Sequence, residues 1–249
     1  MRLLGCFLLI AVLALFLPVA CLSQSPSPQN ASSSPTPRND SVVSVQELAM
    51  SRKATIAFEK GTHLLLKGDF GASLPYFHTV IEQAPFYYRA YHNLGLALYR
   101  MGQLDAAMES FQKSIDLTGG GFAPSLFALS MILYRRADYP QAESLIRRGL
   151  VVAPDSAVGK YCLGLVQFSL GRVSEAERSA LEALQLDPRQ ADALVLLAWV
   201  HERQHNPSAV VTDAQAYLKR DPHGAFHDDA IDLLHRAQQD ISRLSASLN

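Results

Sequence analysis

Three prolines, Pro154, Pro188 and Pro222, stand at equal intervals along the chain. The interval is not carried by proline alone. Leu163-Gly164 returns one interval later as Leu197-Ala198, and Ala142, Ala176 and Val210 keep the same step. A fixed period of about 34 residues means one structural unit copied along the chain and stacked on its neighbours. The period therefore constrains the architecture before any single residue does.

Residues 157–190 show what the unit is. Leu163, Val166 and Leu170 recur at spacings of three and four, a helical stripe that Gly171 stops. A second stripe runs through Ala176, Ala180, Ala183 and Leu184, and Asp187-Pro188 ends it. Proline cannot continue a helix, and it pushes the residue before it out of helical geometry. Each unit thus reads as two antiparallel helices with a tight turn. Gly164 and Ala176 are small where the two helices cross.

Extending the frame yields five units: 54–87, 88–122, 123–156, 157–190 and 191–224. The second is one residue longer and carries Gly119-Gly120-Gly121, where a slight change of twist is expected. Its residues Tyr91, Leu94-Gly95, Gly102, Ala107, Phe111 and Ser114 resemble the tetratricopeptide repeat pattern. Gly61, Phe77 and Pro85 repeat it in the first unit, and Leu163-Gly164, Ala176, Ala183 and Pro188 in the fourth. The third unit has Leu129-Ser130 in place of Leu-Gly, and the fifth departs most. The resemblance implies an all-α, right-handed superhelical solenoid of five such hairpins.

Beyond residue 224 the period stops. Phe226, Ala230, Leu234, Ala237, Ile241 and Leu244 form one apolar stripe, with Asp228 and Asp229 near its start and Arg243 near its end, both suited to the helix dipole. A stack of repeats ends in an apolar face, so residues 225–249 are expected to form a capping helix.

The other end is different in kind. Leu3 to Leu22 is an apolar run that follows Arg2. It reads as a secretory signal, and it also reaches the length of about 20 residues that spans a bilayer. Pro18-Val19-Ala20-Cys21 loosely resembles a lipoprotein box, which makes Cys21 a candidate for lipidation. Free, lipidated and membrane-spanning forms all stay open. Residues 23–41 hold seven serines and four prolines and read as a tether too polar to form a core. Residues 42–53 are a lead-in, with Val42, Val43, Val45 and Leu48 expected as an extended strip and helix from about Met50. Pro140 and Pro207 are expected at the first positions of their helices, and Pro75 within the first turn of its own. The chain is expected to be exported, in the periplasm or cell envelope, and to meet a membrane only through its N-terminal segment.

Charge is balanced, 22 basic against 23 acidic residues. Nucleic acid as the main partner would call for a basic excess. No phosphate loop and no nucleophile elbow is present, and no cofactor or metal is expected. Cys162 reads as a small buried hydrophobe. The sharpest chemical motif is His201-Glu202-Arg203-Gln204-His205, which matches the zinc-protease pattern H-E-x-x-H. The repeat frame puts His205 where Gly102 and Gly171 fall, at a turn, whereas zinc ligation needs both histidines on one continuing helix.

The resemblance to tetratricopeptide repeats implies a different kind of site. In that family the first helix of each unit lines a concave groove. Carried over, the register selects Phe58, His92, Tyr99, Arg100, Phe127, Met131, Tyr134, Tyr161, Phe168 and Trp199, with Arg89, Arg135 and Arg203 on the same line. About half of the apolar ones are expected to be core. The rest suit an apolar peptide or helix of a partner protein. Three readings follow: a non-catalytic interaction scaffold of the bacterial envelope, a zinc metalloprotease centred on His201 and Glu202, or a structural, self-associating array. The scaffold is preferred. The identity of the partner and the oligomeric state stay open.

Overall fold

The computed structural model describes residues 50–247. The apolar run, the candidate Cys21, the tether and the strip at 42–48 lie outside the described residues. Among those residues there are eleven α-helices and no strand. They are α1 (Arg52–Lys67), α2 (Phe70–Gln83), α3 (Tyr88–Arg100), α4 (Leu104–Leu117), α5 (Ala123–Arg135), α6 (Tyr139–Val152), α7 (Ala157–Ser169), α8 (Val173–Leu186), α9 (Asp192–Arg203), α10 (Pro207–Arg220) and α11 (His227–Ser247). The fold class is all-α, made of repeated helical hairpins. None of these helices is long and apolar enough to cross a membrane.

The turn inside each hairpin has one recurring backbone feature. A single residue takes the left-handed conformation: Gly68 (φ 87°), Gly102 (φ 77°), Ala137 (φ 59°), Gly171 (φ 76°) and His205 (φ 55°). In each case the amide of the residue that follows it reaches back five residues, as in Gln103 N to Leu98 O (2.9 Å) and Asn206 N to His201 O (2.9 Å). This closes the open carbonyls of the last helical turn. Glycine is at home there; alanine and histidine carry a steric cost.

Four helices begin behind a side-chain cap. Ser51, Asp138, Ser156 and Asn206 each accept a hydrogen bond from the backbone N–H three residues on. Helix α1 therefore begins at Arg52, behind Ser51. Pro207 is the first residue of α10, and Pro140 the second of α6. Pro75 is a correction: α2 starts at Phe70, so this proline is its sixth residue and lies inside the helix. Its ring sits beyond the first turn, where a backbone donor to the preceding turn is lost.

The chain divides into two compact units, residues up to Leu129 and residues from Ser130 on; the division falls within α5. In unit 1, α1 packs on α2, α2 on α3, and α3 on α4. Gly95 is the crossing point of α3 and α4: a Cβ there would lie 2.7 Å from the Phe111 ring. In unit 2, α7 packs on α6 and α8, and α9 on α8 and α10. Gly164 does the same work there, with Ala176 O 3.3 Å from where its Cβ would be.

Helix α11 lies on α9 and α10. Leu194, Val195, Val210, Tyr217, Phe226, Ala230, Leu233 and Ala237 share one core, and the Phe226 amide donates to the buried Tyr217 hydroxyl at 2.9 Å. The first half of α11 thus covers the last repeat. Leu233, outside the stripe read from sequence, is more deeply buried than Leu234. From Gln238 to Ala246 every residue of the helix is exposed.

Candidate functional site

The ten groove positions divide evenly by burial. His92, Tyr99, Phe127, Met131 and Tyr161 are buried. They pack as core and are not open to a ligand. The first helices are held close to their neighbours by small residues such as Gly95, so most of their faces are covered. Phe58, Arg100, Tyr134, Phe168 and Trp199 are half-buried.

In unit 1, Phe58 on α1 meets Tyr87 edge-on, with centroids 5.0 Å apart, and Phe77 at 6.3 Å. It belongs to a small core with Ala57, Val80 and Ala90. Arg100, in the last turn of α3, holds its guanidinium 4.9 Å over the Phe70 ring. His92 is a structural link. Its Nδ1 is 3.0 Å from Ser125 Oγ, which donates to Ser114 Oγ at 2.8 Å. With the Ser125 proton used in that bond, Nδ1–H is the donor to Ser125. The ring stands against Phe111 and Phe122. Burial, helped by the Arg89 charge, pulls the His92 pKa down to about 3, so the ring is neutral. A hydrogen-bonded Ser–His pair is chemically suggestive, but with His92 only 7 % exposed and both serines buried, no substrate reaches it.

In unit 2 the half-buried aromatics gather. Phe168 at the end of α7 stacks on Trp199 of α9, with centroids 6.4 Å apart. The Arg203 guanidinium lies 5.1 Å over Phe168, and Phe226 meets Trp199 edge-on at 5.6 Å. Tyr134 sits 5.6 Å from Tyr139, and its hydroxyl accepts from Ser169 Oγ at 3.2 Å. Burial raises the Tyr134 pKa, so the hydroxyl stays protonated. This set pairs flat apolar rings with a cationic plane, an arrangement suited to an apolar chain with a carbonyl or carboxylate alongside.

The H-E-x-x-H motif does not assemble. His201 is on α9, but His205 lies past the helix end in the left-handed turn. His201 Nδ1 is 2.6 Å from Asp213 Oδ2, and Nε2 is 3.7 Å from Glu177 Oε1. Both ring nitrogens therefore face carboxylates on neighbouring helices. Glu202 pairs with Arg236 at 3.0 Å. Among the described residues, no group of three or more His, Cys, Asp or Glu is placed to hold a metal ion. Glu177–His201–Asp213 is instead a clamp joining α8, α9 and α10. Sequence reasoning missed it because both partners sit on other helices, at no spacing that a motif would show. Cys162 is buried.

The comparisons with known proteins agree with this geometry. The sequence profile described as tetratricopeptide repeat matches residues 58–122, 127–188 and 161–225. Protein CTR9 homolog of Arabidopsis thaliana is 30 % identical over 115 residues, which cover 46 % of this chain. The match spans only 10 % of that plant protein's length. Among solved structures, TTC0263, a thermophilic TPR protein of Thermus thermophilus, is similar with a TM-score of 0.62 and 21 % identity, over 76 % of this chain and 98 % of that one. YrrB, described as a TPR protein with an unusual peptide-binding site, has a TM-score of 0.51 and 14 % identity, over 78 % of this chain and 97 % of that one. At such identities the two structures speak for the fold.

Proposed function

Because this chain belongs to the tetratricopeptide repeat family, we propose that it is a non-catalytic scaffold of the bacterial cell envelope that holds an apolar segment of a partner protein. The family supports protein–protein interaction as the coarse function. The observation that carries the finer reading is the set of half-buried rings Tyr134, Phe168 and Trp199 in unit 2, with the exposed Arg203 over Phe168. Large rings kept partly open to water on a first-helix face are the residue types that anchor protein interfaces. That YrrB, a protein of similar fold, is described as having a peptide-binding site supports this reading. The envelope assignment rests on the apolar N-terminal run and the Ser/Pro tether of the sequence. In this reading the tether spaces the repeats from the membrane or frees them after cleavage.

Phe168 is the residue to test, because Trp199 also packs against the core shared with α11. An anchoring aromatic typically costs about 2 kcal/mol when truncated, which is roughly thirtyfold in affinity. The full chain is expected to retain a defined envelope protein in affinity capture. Phe168→Ala and Tyr134→Ala should keep most of the melting temperature and lose that protein. Unfolding of both variants, with nothing retained by the wild type, would remove the basis of the reading. Fractionation that finds the chain in the cytosol would remove the envelope part.

A further inference from the structure

Helix α11 carries more apolar pattern than the last repeat can cover. Ala230, Leu234, Ala237, Ile241 and Leu244 are spaced four, three, four and three, the 3.5-residue period of a helix that packs along another helix. Ala230 and Ala237 are buried against α9 and α10. Ile241 and Leu244, on the same line, are 37 % and 57 % exposed. The stripe therefore runs past the edge of the body it caps.

Beside that line is an open groove of about 330 Å³. Its apolar lining is Pro207, Val210, Leu233, Ala237 and Leu244. Its rim holds two ion pairs, Arg236–Glu202 at 3.0 Å and Arg243–Asp240 at 3.4 Å. Two acids and two bases leave no net charge on the rim. A strongly basic or acidic partner gains nothing here, whereas the same rim turned on itself can exchange pairs without repulsion. The groove and the projecting side chains are adjacent on one surface. A two-fold operation then sets each copy's Ile241 and Leu244 toward the other copy's groove, which makes the contact self-complementary and closed.

We propose that the second half of α11 is a homodimerisation surface, and that its occupant is the same helix of a second copy, antiparallel, with Ile241 and Leu244 seated at the partner's groove. This is independent of the aromatic face of unit 2. The stretch from Gln238 to Ala246 spans about 13 Å of helix. A paired face of that length, with the groove behind it, stays under the roughly 800 Å² a side of a standard interface. Dissociation in the micromolar range is expected.

The test is sedimentation equilibrium of the full chain in a density-matched non-ionic detergent, from about 1 to 100 µM, with helix content checked by circular dichroism. The wild type should pass from monomer to dimer across this range. Leu244→Asp, at an exposed position, should keep its helix content and weaken association by at least about tenfold. Leu181→Asp, an equally apolar and exposed position on α8 (52 %), should dimerise as the wild type does. A wild type that stays monomeric up to the top of that range, a Leu244→Asp chain that dimerises unchanged, or equal loss in Leu181→Asp would each overturn the proposal.

Discussion

Unit 1 buries a base and unit 2 buries an acid, and the two respond to protons in opposite senses. His92, in unit 1, is 7 % exposed and has a hydroxyl partner for Nδ1. Burial and Arg89 hold its pKa near 3. Asp192, in the first turn of α9 in unit 2, is 3 % exposed, and its Oδ2 meets no hydrogen-bond partner among the described residues. The helix dipole there favours the charged carboxylate. Burial and the neighbouring charge of Asp221 outweigh it and push the pKa up to about 7. The lesson is that residue type does not predict charge state here. In each case the removal of water from around the group favours its neutral form.

The signs follow from linkage. The folded Asp192 keeps a proton that the unfolded chain releases above its ordinary value of 3.8. Its share of stability is therefore present at low pH and lost as pH rises from about 4 to 7. The folded His92 refuses a proton that the unfolded chain takes up below 6.5. Its share is present above that value and lost as pH falls toward 3. Each of the two can be replaced by a neutral amide to break the contrast.

The largest effect is expected at Asp192. Asp192→Asn should gain over the wild type as pH rises, by up to roughly 4 kcal/mol at pH 8 and by little at pH 4. Urea unfolding at both values gives the difference, and hydrogen exchange in residues 191–237 locates it. An equal effect at pH 4 and pH 8 would mean that Asp192 is charged in the fold. The next effect is the mirror image. His92→Gln keeps an amide that can donate to Ser125 and cannot titrate. Relative to the wild type it should gain roughly 3 kcal/mol between pH 7 and pH 4, read by exchange in residues 88–117. A wild type whose protection in that segment does not fall over this range would place the charge elsewhere.

The smallest effect sharpens a second contrast between the units. In the turns inside the hairpins, both left-handed residues of unit 1 are glycine, Gly68 and Gly102, while unit 2 places Ala137 and His205 beside Gly171. A side chain at positive φ costs about 1 kcal/mol or more, offset in part by the extra freedom glycine gives the unfolded chain. Ala137→Gly and His205→Gly are each expected to raise stability by up to about 1 kcal/mol, while Gly102→Ala lowers it by a similar amount. Thermal melts of the three variants decide it, and a loss on either glycine substitution would mean that the native side chain makes a compensating contact.

Much of this molecule was legible in the chain, and the reason is local. A helix shows its characteristic period in any window, and a turn shows its glycine or proline at a fixed offset. One repeat of such signals, copied five times, states the hairpin, its turn and its register. Even the odd turn at His205 could be read, because Gly102 and Gly171 hold its place in other repeats. The apolar stripe of α11 was visible for the same reason, although Leu233 was not on the line drawn from sequence. What the repeat frame could not say is which first-helix side chains are covered. His92, Tyr99, Phe127, Met131 and Tyr161 carry the same register signal as Phe58, Arg100, Tyr134, Phe168 and Trp199, yet only the second group keeps contact with water. Burial depends on side chains arriving from neighbouring helices, and these come from positions with no fixed spacing to the residue they cover. The same holds for Asp213 and Glu177 against His201, and for Asp221 against Asp192. The sequence by itself determined helix, turn and repeat, which follow from short-range backbone geometry. Only the tertiary structure decided charge state, ion pairing and open surface, because those depend on how much water the packed neighbours leave.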